Sequence, residues 1–257
     1  MANSTPSSKT EEMQRAIGLW ILELNKVAGW QEWRLASIGR QLHYDDDFPA
    51  VPNDLLPDEF IFPPEIERQH AVVMGFLHMR QTVNALKEVE YYFRRFPFRG
   101  LPVNRDDHFA NVCEMYFARF YEFKERMRGY FDALKVVVAV DGRAVGGVIK
   151  KYSKEFDSEL RARHAVHHRE PFSDLVSRNL FATLIASDSD NPVVRKNYER
   201  RHRRAYRKAA REWVIRVRER SARMEDYVNG IAEATLNVCP FLSDLLKRDA
   251  IKDPSQN

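Results

Sequence analysis

The chain has 257 residues, with 41 Lys and Arg against 37 Asp and Glu, 8 His, 2 Cys and only 10 Gly. At 44% hydrophobic and 30% charged residues it reads as globular, able to bury a sizeable core in one large domain or two small ones, and its net charge of +4 looks bland. Scarce Gly disfavours phosphate-cradling loops and turn-dense β-folds, no apolar run approaches the roughly 20 residues of a membrane span, and the polar N-terminus lacks the apolar core of a signal peptide.

Residues 1–10 carry five Ser and Thr and one Pro and read as a disordered tail. From Glu11 to about Leu42, Ile17, Trp20, Ile21, Leu24, Val27 and Ala28 recur at helical spacing, with Gly29 as a weak point. Residues 41–67 hold five prolines and eight acidic residues with no Lys or Arg, a local charge of −8. Repeated Pro forbids a long helix there, and the interleaved Phe48, Leu55, Leu56, Phe60, Ile61 and Phe62 suit an ordered, extended connection. A second helix is expected from about Pro64 to Phe96, ended by Pro97, Gly100 and Pro102. A third starts near Asn104, with Asp106 and Asp107 in its first turn. Its stripe of Phe109, Val112, Cys113, Tyr116, Phe120, Phe123, Met127, Tyr130, Phe131 and Leu134 is the clearest amphipathic signature in the chain.

The run Val136 to Val140 reads as a helix end followed by a turn. A fourth helix is expected over Gly146–His168, stopping before Pro171, and a fifth over Phe172–Ala186. After the break at residues 187–192, a long last helix is expected over Val193–Val238, with Pro240 beyond and a tail over 241–257. The expected fold is therefore all-α, a single-domain bundle of five to six helices over residues 11–240 with a long C-terminal helix. Cys113 and Cys239 are far apart and match no metal or disulfide framework, so a reducing cytoplasm is the expected compartment.

The sharpest chemical feature is the end of the fourth helix, where three of the eight histidines, His164, His167 and His168, stand among Arg161, Arg163 and Arg169. Imidazole exchanges protons near neutral pH, and guanidinium forks onto phosphate oxygens. Metal-free RNA scission needs that pairing: a His activates the ribose 2′-OH or protonates the departing 5′-oxygen, and an Arg stabilises the phosphorane charge.

The run Arg163-His164-Ala165-Val166-His167-His168 resembles the signature of the HEPN superfamily, helical proteins that include many toxin and defence ribonucleases. That signature is an Arg, a polar Asn, Asp or His directly after it, and a His after four to six intervening residues. The resemblance covers about six residues in an all-α setting. It implies a metal-independent endoribonuclease, a cleft shared by two protomers of a homodimer, and a cognate antitoxin protein as a candidate partner. On this reading Arg163 holds the scissile phosphate, His168 is acid or base, and His164 or His167 orients it. Helix geometry leaves two choices open, because residues four apart share a face whereas residues five apart are displaced by about 140°. Arg163 is thus beside His167, while the irregular turn before Pro171 brings in His168.

Ion pairing offers a competing account. Glu159 precedes Arg163 by four residues and Asp157 precedes Arg161 by four, both in the favourable orientation for pairs along a helix. A metal site through His164 with His167 or His168 has suitable spacing, but no Cys is near and both flanking carboxylates have Arg partners, so no metal and no cofactor are expected.

The second chemical feature is the start of the last helix. Residues 195–223 hold 13 Lys and Arg against three Glu, a local charge of +10. Arg200, Arg203, Arg204, Arg207, Lys208 and Arg211, with Arg161 from the fourth helix, are the candidate RNA contacts, since a basic stripe is the footprint of a phosphate binder. Tyr198, Tyr206 and Trp213 are interleaved but follow the buried spacing of Ala209 and Val217. Two alternatives stand beside the ribonuclease. One is a non-catalytic helical module that binds nucleic acid or a protein through residues 195–223. The other is an intramolecular dock for the acidic segment 41–67. Tyr116, Phe117, Phe120, Tyr121 and Phe123 read as core or dimer interface. No Walker loop, dinucleotide fingerprint, serine-hydrolase elbow or paired-Cys zinc pattern is present.

Overall fold

A computed structural model describes residues 8–42, 59–98, 102–168, 172 and 174–252. Among the described residues all regular structure is helical. In chain order the helices are α1 (Lys9–Leu24), α2 (Trp30–Leu42), α3 (Pro64–Arg94), α4 (Arg105–Val137), α5 (Gly142–Glu155), α6 (Asp157–His168), α7 (Leu175–Ser187), α8 (Pro192–Val238) and α9 (Pro240–Lys252). The all-α class holds, with nine described helices instead of five to six.

The extra helices have local causes. The first expected helix breaks at residues 25–29, where Gly29 takes φ +77°, a backbone that side-chain-bearing residues avoid. The expected fourth helix divides at Phe156, whose φ of −105° and ψ of 26° end α5. Neither Gly nor Pro marks that break; a fully buried Phe156 ring sits there, 4.8 Å from the Tyr152 ring and 5.2 Å from the Phe120 ring. The expected tail at 241–257 is helix through Lys252, with Leu242 fully buried. At the other end of the chain, Ser8 caps α1 in a reciprocal box with Glu11, so helix begins inside the segment read as a tail. The acidic connection at 41–67 lies mostly outside the described residues.

The chain divides into two compact units. The first holds α1, α2, the start of α3, residues 136–138, the end of α8 from Asn229, and α9. Its core includes Met13, Ala16, Ile17, Trp20 and Leu24 from α1 with Ile231, Ala232 and Leu242. Asn229 Oδ1 accepts the Thr10 N–H at 3.0 Å, and Arg15 pairs with Asp249 at 2.6 Å.

The second unit comprises Met74–Lys135 and Ala139–Val228. Every third or fourth residue of α4, from Phe109 to Leu134, is buried, as its period requires. Trp213 of α8 is the ring around which this core assembles: Phe93, Tyr116, Phe172 and Phe117 lie 5.2, 5.2, 5.5 and 5.7 Å from it. Such tilted and edge-on aromatic pairs add about 1 kcal/mol each beyond burial. At Gly75 of α3 an added Cβ would stand 3.2 Å from Tyr130 Cδ2 and 3.4 Å from its Cα, so α3 and α4 approach closely there.

Candidate nucleic-acid interface

Helix α8 sorts its side chains by face. His202, Tyr206, Ala209, Ala210, Trp213 and Val217 are buried, as the spacing of the aromatics indicates, although Tyr198 is only half-buried. On the opposite side Lys196, Arg200, Arg204, Arg207, Arg211 and Arg218 are exposed and recur at steps of three, four and seven residues. At 1.5 Å per residue this stripe is about 33 Å long. Among the described residues no carboxylate forms an ion pair with Arg200, Arg204, Arg207 or Arg211. At the flanks, Arg203 reaches Glu199 at 4.0 Å and Lys208 reaches Glu212 at 3.8 Å, contacts within one helix face and open to water. The expected RNA contacts on α8 are therefore all exposed, and no described carboxylate answers Arg200, Arg204, Arg207 or Arg211.

Farther along α8 the arginines turn inward. Arg216 and Arg220 reach Glu159 Oε1 of α6 at 3.1 and 3.0 Å, and Glu159 is fully buried. Ser158 Oγ donates to its other oxygen at 2.7 Å, and the Tyr116 hydroxyl approaches Oε1 at 3.4 Å. Burial alone would push the Glu159 carboxyl up. Hydrogen bonds from Ser158 and Arg216, with the charges of Arg220 and Arg216, hold it below the usual carboxylate range.

That inward turn of Glu159 decides the two ion pairs expected along α6. Asp157 does pair with Arg161, which points into solvent. Glu159 is committed to α8, so Arg163 takes a different partner: its guanidinium stacks 4.0 Å from the centre of the Tyr121 ring, and its enclosed Nε meets no hydrogen-bond acceptor among the described residues. Stacking uses the face of the guanidinium and leaves edge N–H groups for an anion. His164 follows on the exposed side of α6. His167 and His168 complete the helix, and their side chains lie outside the described residues. Arg161, Arg163 and His164 are thus consecutive features of one short helix.

Two further groups have no counterpart in the sequence reading. Glu90 of α3 holds both Arg94 and Arg218, the latter through two contacts of 2.7 and 2.9 Å, beside exposed Tyr91. The available signal was that Tyr91 and Arg94 fall off the apolar stripe of α3. The other group is a buried pair, with His202 Nε2 standing 3.8 Å from Asp106 Oδ1 and His202 Nδ1 3.2 Å from Thr183 Oγ1. Burial and the Asp107 charge push the Asp106 carboxyl up to about 6, and among the described residues neither of its oxygens has a hydrogen-bond partner. Burial also pushes the His202 imidazole down. First-turn acids are ordinarily solvated, so only tertiary packing reveals this one.

Comparison with protein-family models, curated proteins and solved structures finds no match to this chain. Among the described residues no helix is long and apolar enough to cross a membrane.

Proposed function

We propose that this protein binds RNA through the solvent face of α8. The observation that carries the reading is the row of Arg200, Arg204, Arg207 and Arg211, exposed on one face and without carboxylate partners among the described residues. Four guanidinium groups along one helix repel one another, and a polyanion relieves that repulsion while releasing its own counterions. RNA binding is tested by fluorescence anisotropy over a salt series. The affinity should fall steeply with salt, and reversing Arg200, Arg203 and Arg207 to Glu should weaken binding and flatten that dependence. Unchanged binding by the reversed variant would overturn the reading.

A second reading, metal-independent RNA cleavage at the end of α6, is favoured by one specific observation. Among the described residues no carboxylate pairs with Arg163, whose guanidinium stacks on Tyr121, and it stands one residue before His164 on the helix that ends in His167 and His168. In this reading a His takes the 2′-OH proton, the 2′-oxygen attacks phosphorus, and the 5′-oxygen leaves with a proton from a second His while Arg163 stabilises the phosphorane. The resemblance to HEPN ribonucleases extends this to a homodimer of toxin or defence type with an antitoxin partner. The two buried, unpaired thiols of Cys113 and Cys239 suit a reducing cytoplasm. Incubating RNA with the protein in EDTA tests it. The parent should cleave and the His167→Ala, His168→Ala double variant should not; equal RNA loss from both, or none from the parent, would sink the catalytic reading.

A further inference from the structure

The cationic stripe is not uniform along α8, and its non-uniformity bears on which form of nucleic acid fits. Beside Arg207 and Arg211 runs a shallow groove of about 470 Å³ lined by Arg94, Tyr206, Ala210, Val214, Ile215 and Arg218 as well. Its floor is apolar, and Ile215 leaves 56% of its surface in water. At its edge Tyr91 is 66% exposed, with the Arg94 guanidinium 5.9 Å from the ring centre. Glu90 fixes Arg94 and Arg218 at this edge by pairing with both, so the two share one carboxylate and retain a net positive charge.

A duplex buries its base faces by stacking and offers a protein chiefly its phosphate rim. A site for a duplex needs cations and gains nothing from an exposed aromatic ring beside a strip of aliphatic surface. An unpaired strand presents both phosphates and apolar base faces, and base-on-aromatic stacking is independent of sequence. We infer that the α3–α8 groove accepts single-stranded RNA, with backbone phosphates on Arg207 and Arg211 and an unpaired base stacked on Tyr91 above Ile215. This inference rests on the RNA-binding reading above and names the form of RNA that the same face selects. Glu90 is a positioning residue: it holds Arg94 and Arg218 at the groove edge rather than contacting the strand, where its charge would repel phosphate.

The test is fluorescence anisotropy of the full chain with a labelled oligouridylate of about 12 nucleotides, within the usual site size of such binders, beside the same strand annealed to its complement. The single strand should bind at least about tenfold more tightly than the duplex. Tyr91→Ala should weaken single-strand binding about tenfold and leave duplex binding unchanged, while Tyr91→Phe restores it. Equal affinity for the two forms, or a Tyr91→Ala variant indistinguishable from the parent, would overturn the inference. So would competition by polyglutamate at equal charge concentration, which would make the groove a docking site for acidic protein. The Arg207→Glu, Arg211→Glu variant separates the two levels. If it binds as the parent does, the RNA-binding reading itself fails. If it loses affinity while Tyr91→Ala keeps it, only the single-strand inference fails. Far-ultraviolet circular dichroism on each variant checks that helix content is unchanged.

Discussion

Arg211 and Arg216 stand five positions apart on α8, and the two side chains live in different chemistry. Arg216 and Arg220 face α6 and share the fully buried carboxylate of Glu159. Arg204, Arg207 and Arg211 face water and meet no carboxylate among the described residues. Residue type and helix propensity are the same in both places. What differs is the facing element: where α6 lies alongside, an acid is supplied from it, and over Arg204 to Arg211 no described residue supplies one. A charge that is answered from within the fold holds the molecule together, and one that is left unanswered is available to a partner.

The largest expected effect breaks the answered side. Glu159→Ala strands two partly enclosed guanidinium groups and should cost about 3 kcal/mol in urea unfolding at neutral pH, a value tempered by the partial exposure of both arginines. A loss below about 0.5 kcal/mol, the ordinary range for surface changes, would erase the distinction between the clusters.

Next comes the unanswered side. Reversing Arg204, Arg207 and Arg211 together to Glu should lower RNA affinity by about 100-fold or more at moderate salt and flatten the salt dependence by about two to three logarithmic units per decade. The urea midpoint should stay the same or rise, because the substitutions remove mutual repulsion.

Asp106 sharpens the comparison from a third direction, as a buried carboxylate with no arginine paired to it. Its folded-state pKa is raised to about 6, so the fold favours the protonated acid. That contribution is complete below about pH 4 and is lost as the pH rises through about 6. Asp106→Asn should therefore stabilise the protein by about 2 kcal/mol at pH 8, with the gap to the parent closing as the pH falls toward 4. Urea unfolding at a series of pH values checks this, and a gap that widens in acid would reverse the assignment. His202 titrates with the opposite sign: its pKa is lowered by burial, so its effect opposes folding in acid. Running the series in a His202→Gln background isolates Asp106.

The smallest effect belongs to Arg161, which pairs with Asp157 on its own helix, both side chains exposed. Arg161→Ala should change stability by less than about 0.5 kcal/mol, measured in the same urea titration.

Much of this arrangement is legible in the sequence because it is periodic. The apolar spacing of α3, α4 and α8 places those helices within a few residues of their observed ends, and the same spacing assigns Tyr206 and Trp213 to the core. The break at Phe156 is not legible, because it arises from a ring packed on Phe120 and Tyr152 rather than from a helix-breaking residue. Helix α9 is hidden behind Pro240, which reads as a stop but serves as a first helical residue. Along α6 the rule for residues four apart gives two ion pairs and only one forms. Local spacing knows nothing of Arg216 and Arg220, which are 57 and 61 residues away in sequence and draw Glu159 inward.

The carboxylates of α5 and α6 have one more consequence. Glu155 meets Arg223 and Tyr227, and Glu159, four residues on, meets Arg216 and Arg220, seven residues back along α8. Aliphatic and aromatic ridges tolerate sliding by a turn, since one apolar groove resembles the next. A buried acid resists such sliding, because it must keep its cationic and hydrogen-bonding partners. Half-buried Glu155 and fully buried Glu159 thus work as a vernier between antiparallel elements: beside a hydrophobic replacement of the whole cluster they add little stability, but they meet their partners together in the observed alignment.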